Sequence, residues 1–483
     1  MLGKGWTRVK QLSPAVKASL CFAVSSMLQK GISLITVPLF TRLLTTEQYG
    51  QFTLYQSWLS LVTIFATLYL YYGVFNNGMT KYKQDRQRYI AAMQGLSTVA
   101  TLVVFAVYAV AMPFWENLLQ LPRIVILFMF VEMLFSPAMQ YWSARQRYEF
   151  KYKALTVVTV TMSLANPLLG LLAVHLTEEK GIARILSASL VNAVFGLAFY
   201  CLNFARGKTF YQAQYWKFAL GFNIPLIPHY LAQMVLSQSD RLMIGKMFGE
   251  TPVAIYGLAC SLGMVMAFVT GSINNSFIPW TYQQCDRQAY DELGRKSNLL
   301  VLFVGGIALL PAIAAPEIVY CMAPSAYRDA IWIIPPIALS NYIVFLYSLF
   351  ANVEFYFEEN KFVMAASCMA AAANLVLNFL CMPRFGYIAA AYTTVICYVL
   401  LAVGHYLFMK RILRKNGVQG TIYPIRTMVL FTAALTGVML GIQLLYPYPA
   451  VRYGVVAVAA VGLFIKRKAV LAFVKSITKE KKV

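Results

Sequence analysis

Lys30 stands thirteen residues after Lys17 and twelve before Arg42, inside an otherwise apolar stretch. At 1.5 Å of helical rise per residue, about 18–20 Å separates it from either flanking charge. A lysine side chain cannot snorkel that far to an interface. Two chemistries suit it: a packing partner for a neighbouring carboxylate, or a cation lining a water-filled path. Ionisable groups at such depth mark functional sites by default, which favours the path. Ser26, Lys30, Ser33 and Thr36/Val37 follow i, i+4, i+7 and about i+11, so one polar stripe is predicted to face the bundle interior.

Two more stripes have the same spacing. His229, Gln233, Ser237 and Asp240/Arg241 recur every three to four residues, and the run Ser237-Gln238-Ser239-Asp240-Arg241 covers every face of a helix. Such a run must meet a wet cavity or lie at a helix end by the outer interface. His229 taken alone fits a satisfied core histidine better than a titrating switch. Glu132, Ser136, Gln140 and Ser143 form the third stripe. Glu132 lies nine residues in from Arg123, about 13 Å deep. It suits equally the structural partner of Lys30 and a coupling-ion site. Asn166, Asn192, Asn374 and Asn378 are expected to bond between helices. Glu354, Glu358 and Glu359 are expected to be solvated at a helix end.

The elements that must hold these stripes follow from composition. Of 483 residues, 60% are hydrophobic and 12% charged, with mean hydropathy +0.63. Soluble chains average about 45–50% apolar and about 25% charged residues. The chain is therefore all-α and membrane-embedded. Fourteen segments are long enough to cross, near 15–41, 51–76, 89–112, 121–144, 154–176, 181–204, 217–244, 252–276, 298–315, 329–353, 362–382, 386–409, 427–446 and 450–466. With the N-terminus cytoplasmic, 31 Lys and Arg fall on the inner side and nine on the outer, leaving Lys30 between them. The positive-inside rule then places both termini in the cytoplasm. The net charge of +23 is spread over short connections, which excludes nucleic-acid binding, and no connection is long enough for a soluble catalytic domain. The first twenty residues lack the apolar block and cleavage site of a signal peptide, so the first crossing is expected to stay.

Enzymatic signatures are missing. Gly207-Lys208-Thr209 lacks the first glycine of a phosphate-binding loop, since Leu202 occupies that position, and it reads as a basic loop. His175, His229 and His405 are far apart and belong to no HExxH or Ser/His/Asp grouping. The eight cysteines have no CxxC spacing and mostly fall in apolar runs, as small core residues do. Transport without a cofactor or metal is the expectation.

The first and seventh segments each contain proline (Pro38; Pro225 and Pro228) and each is followed by Tyr-Gly (Tyr49-Gly50; Tyr256-Gly257). Two parallel six-helix repeats result, over 1–210 and 211–415, with two extra helices and a basic tail in 416–483. A second echo, Gly73-Val-Phe-Asn-Asn against Gly271-Ser-Ile-Asn-Asn, gives an offset of 198 against 207 for Tyr-Gly. The duplication accordingly rests on topology. Proline kinks in the leading helices suit hinges for alternating access.

On these residues the chain resembles the O-antigen-type polysaccharide flippases of the multidrug/oligosaccharidyl-lipid/polysaccharide exporter superfamily. The stretches that carry the resemblance are Pro38-Leu-Phe-Thr-Arg42-Leu-Leu-Thr-Thr-Glu47-Gln-Tyr49-Gly50, Pro225-Leu-Ile-Pro228-His229, Ser239-Asp240-Arg241-Leu-Met-Ile-Gly245 and Ile255-Tyr256-Gly257. The resemblance implies two six-helix lobes, a V-shaped cavity and transfer of an undecaprenyl-diphosphate-linked oligosaccharide across the bacterial inner membrane. It points to membrane lipids, a polysaccharide polymerase and chain-length proteins as partners. A cationic cavity would suit a diphosphate head group, and Lys30 and Arg241 match that need. Intramembrane bases are fewer than in the arginine-rich cavity of the related lipid II flippase, which points away from lipid II. The alternative within the superfamily is a cation-coupled small-molecule (multidrug) exporter, in which carboxylates such as Glu132 would dominate the cavity. A membrane polymerase or ligase is disfavoured by the short outer connections.

Overall fold

In hydrocarbon every backbone N–H and C=O must be satisfied within its own segment, so an apolar chain of this length folds into helices. The computed structural model describes residues 14–358, 360–418 and 422–465, and all its regular elements are helical. The basic residues at 4–10 and 466–482 that contribute to the charge count lie outside the described residues.

The described chain forms two compact units that divide between Ala254 and Ile255. The first contains α1 (Pro14–Leu43), α2 (Thr46–Thr67), α3 (Val74–Lys81), α4 (Arg86–Val110), α5 (Met112–Leu119), α6 (Arg123–Tyr148), α7 (Tyr152–Leu176), α8 (Lys180–Gly207), α9 (Ala213–Asn223) and α10 (Ile227–Phe248). α11 (Glu250–Asp286) starts in it and continues into the second. The second unit continues with α12 (Tyr290–Ile313), α13 (Ala315–Met322), α14 (Ala330–Tyr356), α15 (Asn360–Phe385), α16 (Ala389–Lys415), α17 (Ile425–Leu444) and α18 (Pro449–Ile465).

Among the described residues, twelve helical stretches are long and apolar enough to cross a membrane, with α9 and α10 together forming one of 36 residues. Of the fourteen expected segments, those corresponding to α2 and α18 fall outside that set. Gln48, Gln51, Gln56, Ser57 and Ser60 dilute the hydropathy of α2, and α18 is 17 residues long. Thr45 and Gln48 form a reciprocal capping box that fixes where α2 begins. Its far end is set by Leu68 and Tyr69, both left-handed, while Asn223 donates its side-chain amide to the Leu68 carbonyl.

Small residues bring the helices of the first unit together, as expected where apolar packing in lipid depends on close backbone approach. A Cβ on Gly196 of α8 would sit 2.5 Å from the Phe135 carbonyl carbon of α6, so these two backbones touch through glycine. Gly50 of α2 has the same relation to the Glu250 carbonyl. Two buried clusters complete the unit: a tyrosine-rich one with Tyr89, Tyr141 and Tyr215, and another around Tyr55, Met129 and Phe130. In the second unit one core joins Val301, Tyr342, Phe350 and Tyr423.

Candidate functional site

α1, α7 and α8 line an open polar cavity of about 200 Å³ in the first unit. Gln29, Ile32, Ser33 and Thr36 enter from α1, Met162, Ser163, Asn166 and Pro167 from α7, and Arg184 and Asn192 from α8. The α1 residues are spaced three to four apart, as one helix face requires. Ser25 on the same helix donates to Thr156 at 2.9 Å and ties α1 to α7.

Among the described residues, Arg184 is the single charged one of the lining. It is 6% exposed, lies in the second turn of α8, and donates from Nη2 to Asn166 Oδ1 at 3.0 Å. Its guanidinium sits 4.2 Å from the Phe40 ring centroid and 4.6 Å from that of Phe52. Nε and Nη1 are buried without a hydrogen-bond partner, and Arg184 enters none of the ion pairs among the described residues. Arg184, counted from sequence with the outer connections, is a cation buried in protein.

Glu132 stands behind this wall. It is 4% exposed and accepts from Tyr55 Oη on one oxygen at 2.6 Å and from Asn192 Nδ2 on the other at 2.7 Å. Its partners are therefore a phenol and an amide. Lys30, the alternative partner open from sequence, takes part in none of the described ion pairs and is exposed. Ser33 and Thr36 from the α1 stripe line the cavity, whereas Lys30 and the half-buried Ser26 do not.

The α10 stripe is elsewhere in the first unit. His229 is half-buried beside Tyr230 and its Nδ1 has no hydrogen-bond partner, while Gln233 is exposed. Ser239 and Asp240 are buried, and Arg241 Nη1 donates to Gln238 Oε1 at 2.6 Å. Residues 237–241 lie seven to eleven positions before Phe248, so this run is helix interior. None of His229, Gln233, Asp240 and Arg241 lines the cavity.

In the second unit Glu354 is fully buried, contrary to the solvated helix end expected of it. Its Oε2 lies 2.9 Å from His405 Nδ1, and Tyr347 stacks on that imidazole. The asparagines bond between helices as expected: Asn166 to Arg184, Asn192 to Glu132, Asn374 to Thr394, and Asn378 to Thr393. Arg452, also counted with the outer bases, is 2% exposed and pairs with Glu317. Among the described residues no three His, Cys, Asp or Glu cluster as metal ligands would.

A family model described as polysaccharide biosynthesis protein matches residues 15–284, more than half of the chain. The chain belongs to that family. Similar sequences include a Haemophilus influenzae protein of the Lsg locus, 23% identical over 372 residues that cover 73% of this chain and 88% of the relative. An uncharacterized membrane protein of the same organism is 20% identical over 367 residues, 74% of this chain and 87% of the relative. Among solved structures, the inward closed lipid II flippase MurJ superposes with TM-score 0.69 at 11% identity, over 93% of this chain and all of that one. An inward-facing multidrug resistance MATE family transporter of the MOP superfamily gives 0.65 at 12% identity, over 83% of this chain and all of that one. At such identities the likeness is one of fold. Family and fold together make the chain a polytopic membrane protein of the polysaccharide biosynthesis family, with a fold shared by the MurJ flippase and the MATE transporter.

Proposed function

We propose that the protein moves an undecaprenyl-diphosphate-linked oligosaccharide, an O-antigen or similar repeat unit, from the cytoplasmic to the periplasmic leaflet of the bacterial inner membrane by alternating access. The observation that carries this reading is the sign of the charge: in a member of the polysaccharide biosynthesis family, the one charged residue among those described in the polar cavity is a guanidinium. An anionic head group entering hydrocarbon without a counter-charge would face a desolvation penalty of many kcal/mol, so a fixed cation must stand on its path. In this reading Lys30 serves the head group from the exposed face of α1, with Ser26 and Ser33 as hydrogen-bonding neighbours, and His229, Gln233, Asp240 and Arg241 supply a second polar face. Both termini are cytoplasmic. An inside-negative potential favours outward movement of an anion by about 2.3 kcal/mol per charge per 100 mV.

The multidrug-exporter alternative draws on the MATE-like fold and on Glu132 as an ion-coupling carboxylate. Against it, both oxygens of Glu132 are already engaged by Tyr55 and Asn192. The deciding experiment is deletion in the native host followed by extraction of lipids. Loss of surface polysaccharide with accumulation of lipid-linked repeat units inside supports flipping. Normal polysaccharide with increased sensitivity to cationic drugs would replace this reading with export of small molecules.

A further inference from the structure

Arg184 poses a physical problem that transport of a lipid does not by itself resolve. A guanidinium offers five N–H donors, and the one described hydrogen bond uses a donor on Nη2, leaving Nε and Nη1 without partners. Removing one member of a buried ion pair is strongly unfavourable because the other is left uncompensated, and Arg184 has no carboxylate partner among the described residues. Glu132 on α6 forms no described ion pair with it and is engaged by Tyr55 and Asn192 instead. Arg184 also lies close to the start of α8 at Lys180, where the helix dipole is positive and opposes a cation. The rings of Phe40 and Phe52 offset part of this charge and cannot neutralise it.

The cavity beside it is built for what is missing. Gln29, Ser33 and Asn166 put neutral donors on its wall, whereas the Thr36 and Ser163 hydroxyls donate to the Ser33 and Thr159 carbonyls of their own helices. A volume of about 200 Å³ is many times the minimum of about 10–15 Å³ that one water needs. That is room for at least one phosphoryl group. We infer that this cavity is a binding site for a single phosphate-class oxyanion, with Arg184 as its counter-cation and the Gln29 amide, the Ser33 hydroxyl and the Asn166 amide nitrogen as its hydrogen-bond donors. The oxyanion comes either from inorganic phosphate or from the head group of a phosphorylated lipid. The inference holds whether or not the protein flips an oligosaccharide.

Two substitutions test it on the full chain in nanodiscs. Asn166→Asp puts a carboxylate where an oxygen already lies 3.0 Å from Nη2. It supplies the counter-charge internally, so it should raise the thermal midpoint of the unliganded protein and weaken phosphate binding by at least about tenfold. Gly170→Ala is the second: a Cβ there falls 2.9 Å from Nη1 and 3.0 Å from Phe40 Cζ, displacing the guanidinium without removing its charge, and should also weaken binding. Calorimetric titration uses inorganic phosphate, farnesyl diphosphate and uncharged farnesol as probes. Saturable binding of inorganic phosphate assigns a free anion. Binding of farnesyl diphosphate alone, with none of farnesol, assigns a lipid head group. Absence of saturable binding by either anion overturns the inference, as does an Asn166→Asp protein that binds with wild-type affinity.

Discussion

Tyr55→Phe removes one hydroxyl and leaves the ring that packs against Met129 and Phe130 in place. That hydroxyl donates to a buried Glu132 oxygen at 2.6 Å, and the other oxygen has Asn192 at 2.7 Å. With Glu132 ionised, the hydrogen bond it accepts contributes about 1.5–3 kcal/mol, so Tyr55→Phe should destabilise by about that much. Glu132→Gln should be milder, near 1 kcal/mol or less, because the amide oxygen still accepts from Asn192 while its NH2 donates to the Tyr55 oxygen. In the Glu132→Gln background the lost bond is between neutral groups, and Tyr55→Phe should cost about 0.5–1.5 kcal/mol. The cycle therefore predicts a coupling of about 1–2 kcal/mol, read from denaturant unfolding of the four purified proteins in mixed micelles. Additivity within about 0.3 kcal/mol would refute the reasoning, since it would mean that no charge-assisted bond joins these residues in the folded protein.

Lys30→Arg should keep much of the surface polysaccharide, whereas Lys30→Ala and Lys30→Glu should abolish it at normal protein levels; full activity of a stably inserted Lys30→Ala protein returns Lys30 to a packing role. Should Glu132 couple an ion, Glu132→Gln transport loses its dependence on pH or sodium, and an unchanged dependence leaves Glu132 its structural role alone. Gly196→Ala, with its Cβ 2.5 Å from the Phe135 backbone, should force α6 and α8 apart and lower stability by about 1–3 kcal/mol, measured by thermal unfolding. Reporter fusions at Lys83, Lys208 and Lys415 should read cytoplasmic and those at Thr46, Glu179 and Tyr448 external; a cytoplasmic reading at Glu179 breaks both the topology and the repeat.

Hydropathy makes the helices legible, because lipid leaves the backbone no other regular form. It misplaces α2 in part: the expected crossing at 51–76 starts after the Thr45 cap and runs through the left-handed break at Leu68 and Tyr69. Asparagine pairs could be anticipated, since an apolar helix has few uses for an amide except another helix. Partner identities could not. Glu132 meets Tyr55 and Asn192, which stand 77 and 60 residues away, and Glu354 meets His405, 51 residues away. Arg184 looks like any basic residue flanking a crossing until Phe40, Phe52 and Asn166 close around it. Periodicity placed Ser33 and Thr36 on a polar face, but the cavity follows the neighbouring line through Gln29, one residue before Lys30.

The most direct test of the proposed function uses the purified protein in liposomes. A prenyl-diphosphate-linked oligosaccharide is placed in one leaflet, and its appearance in the other is followed with an impermeant sugar-modifying reagent. The account predicts protein-dependent crossing within the assay time that Lys30→Ala abolishes. Crossing no faster than in protein-free liposomes, with correctly inserted wild-type protein, would contradict it.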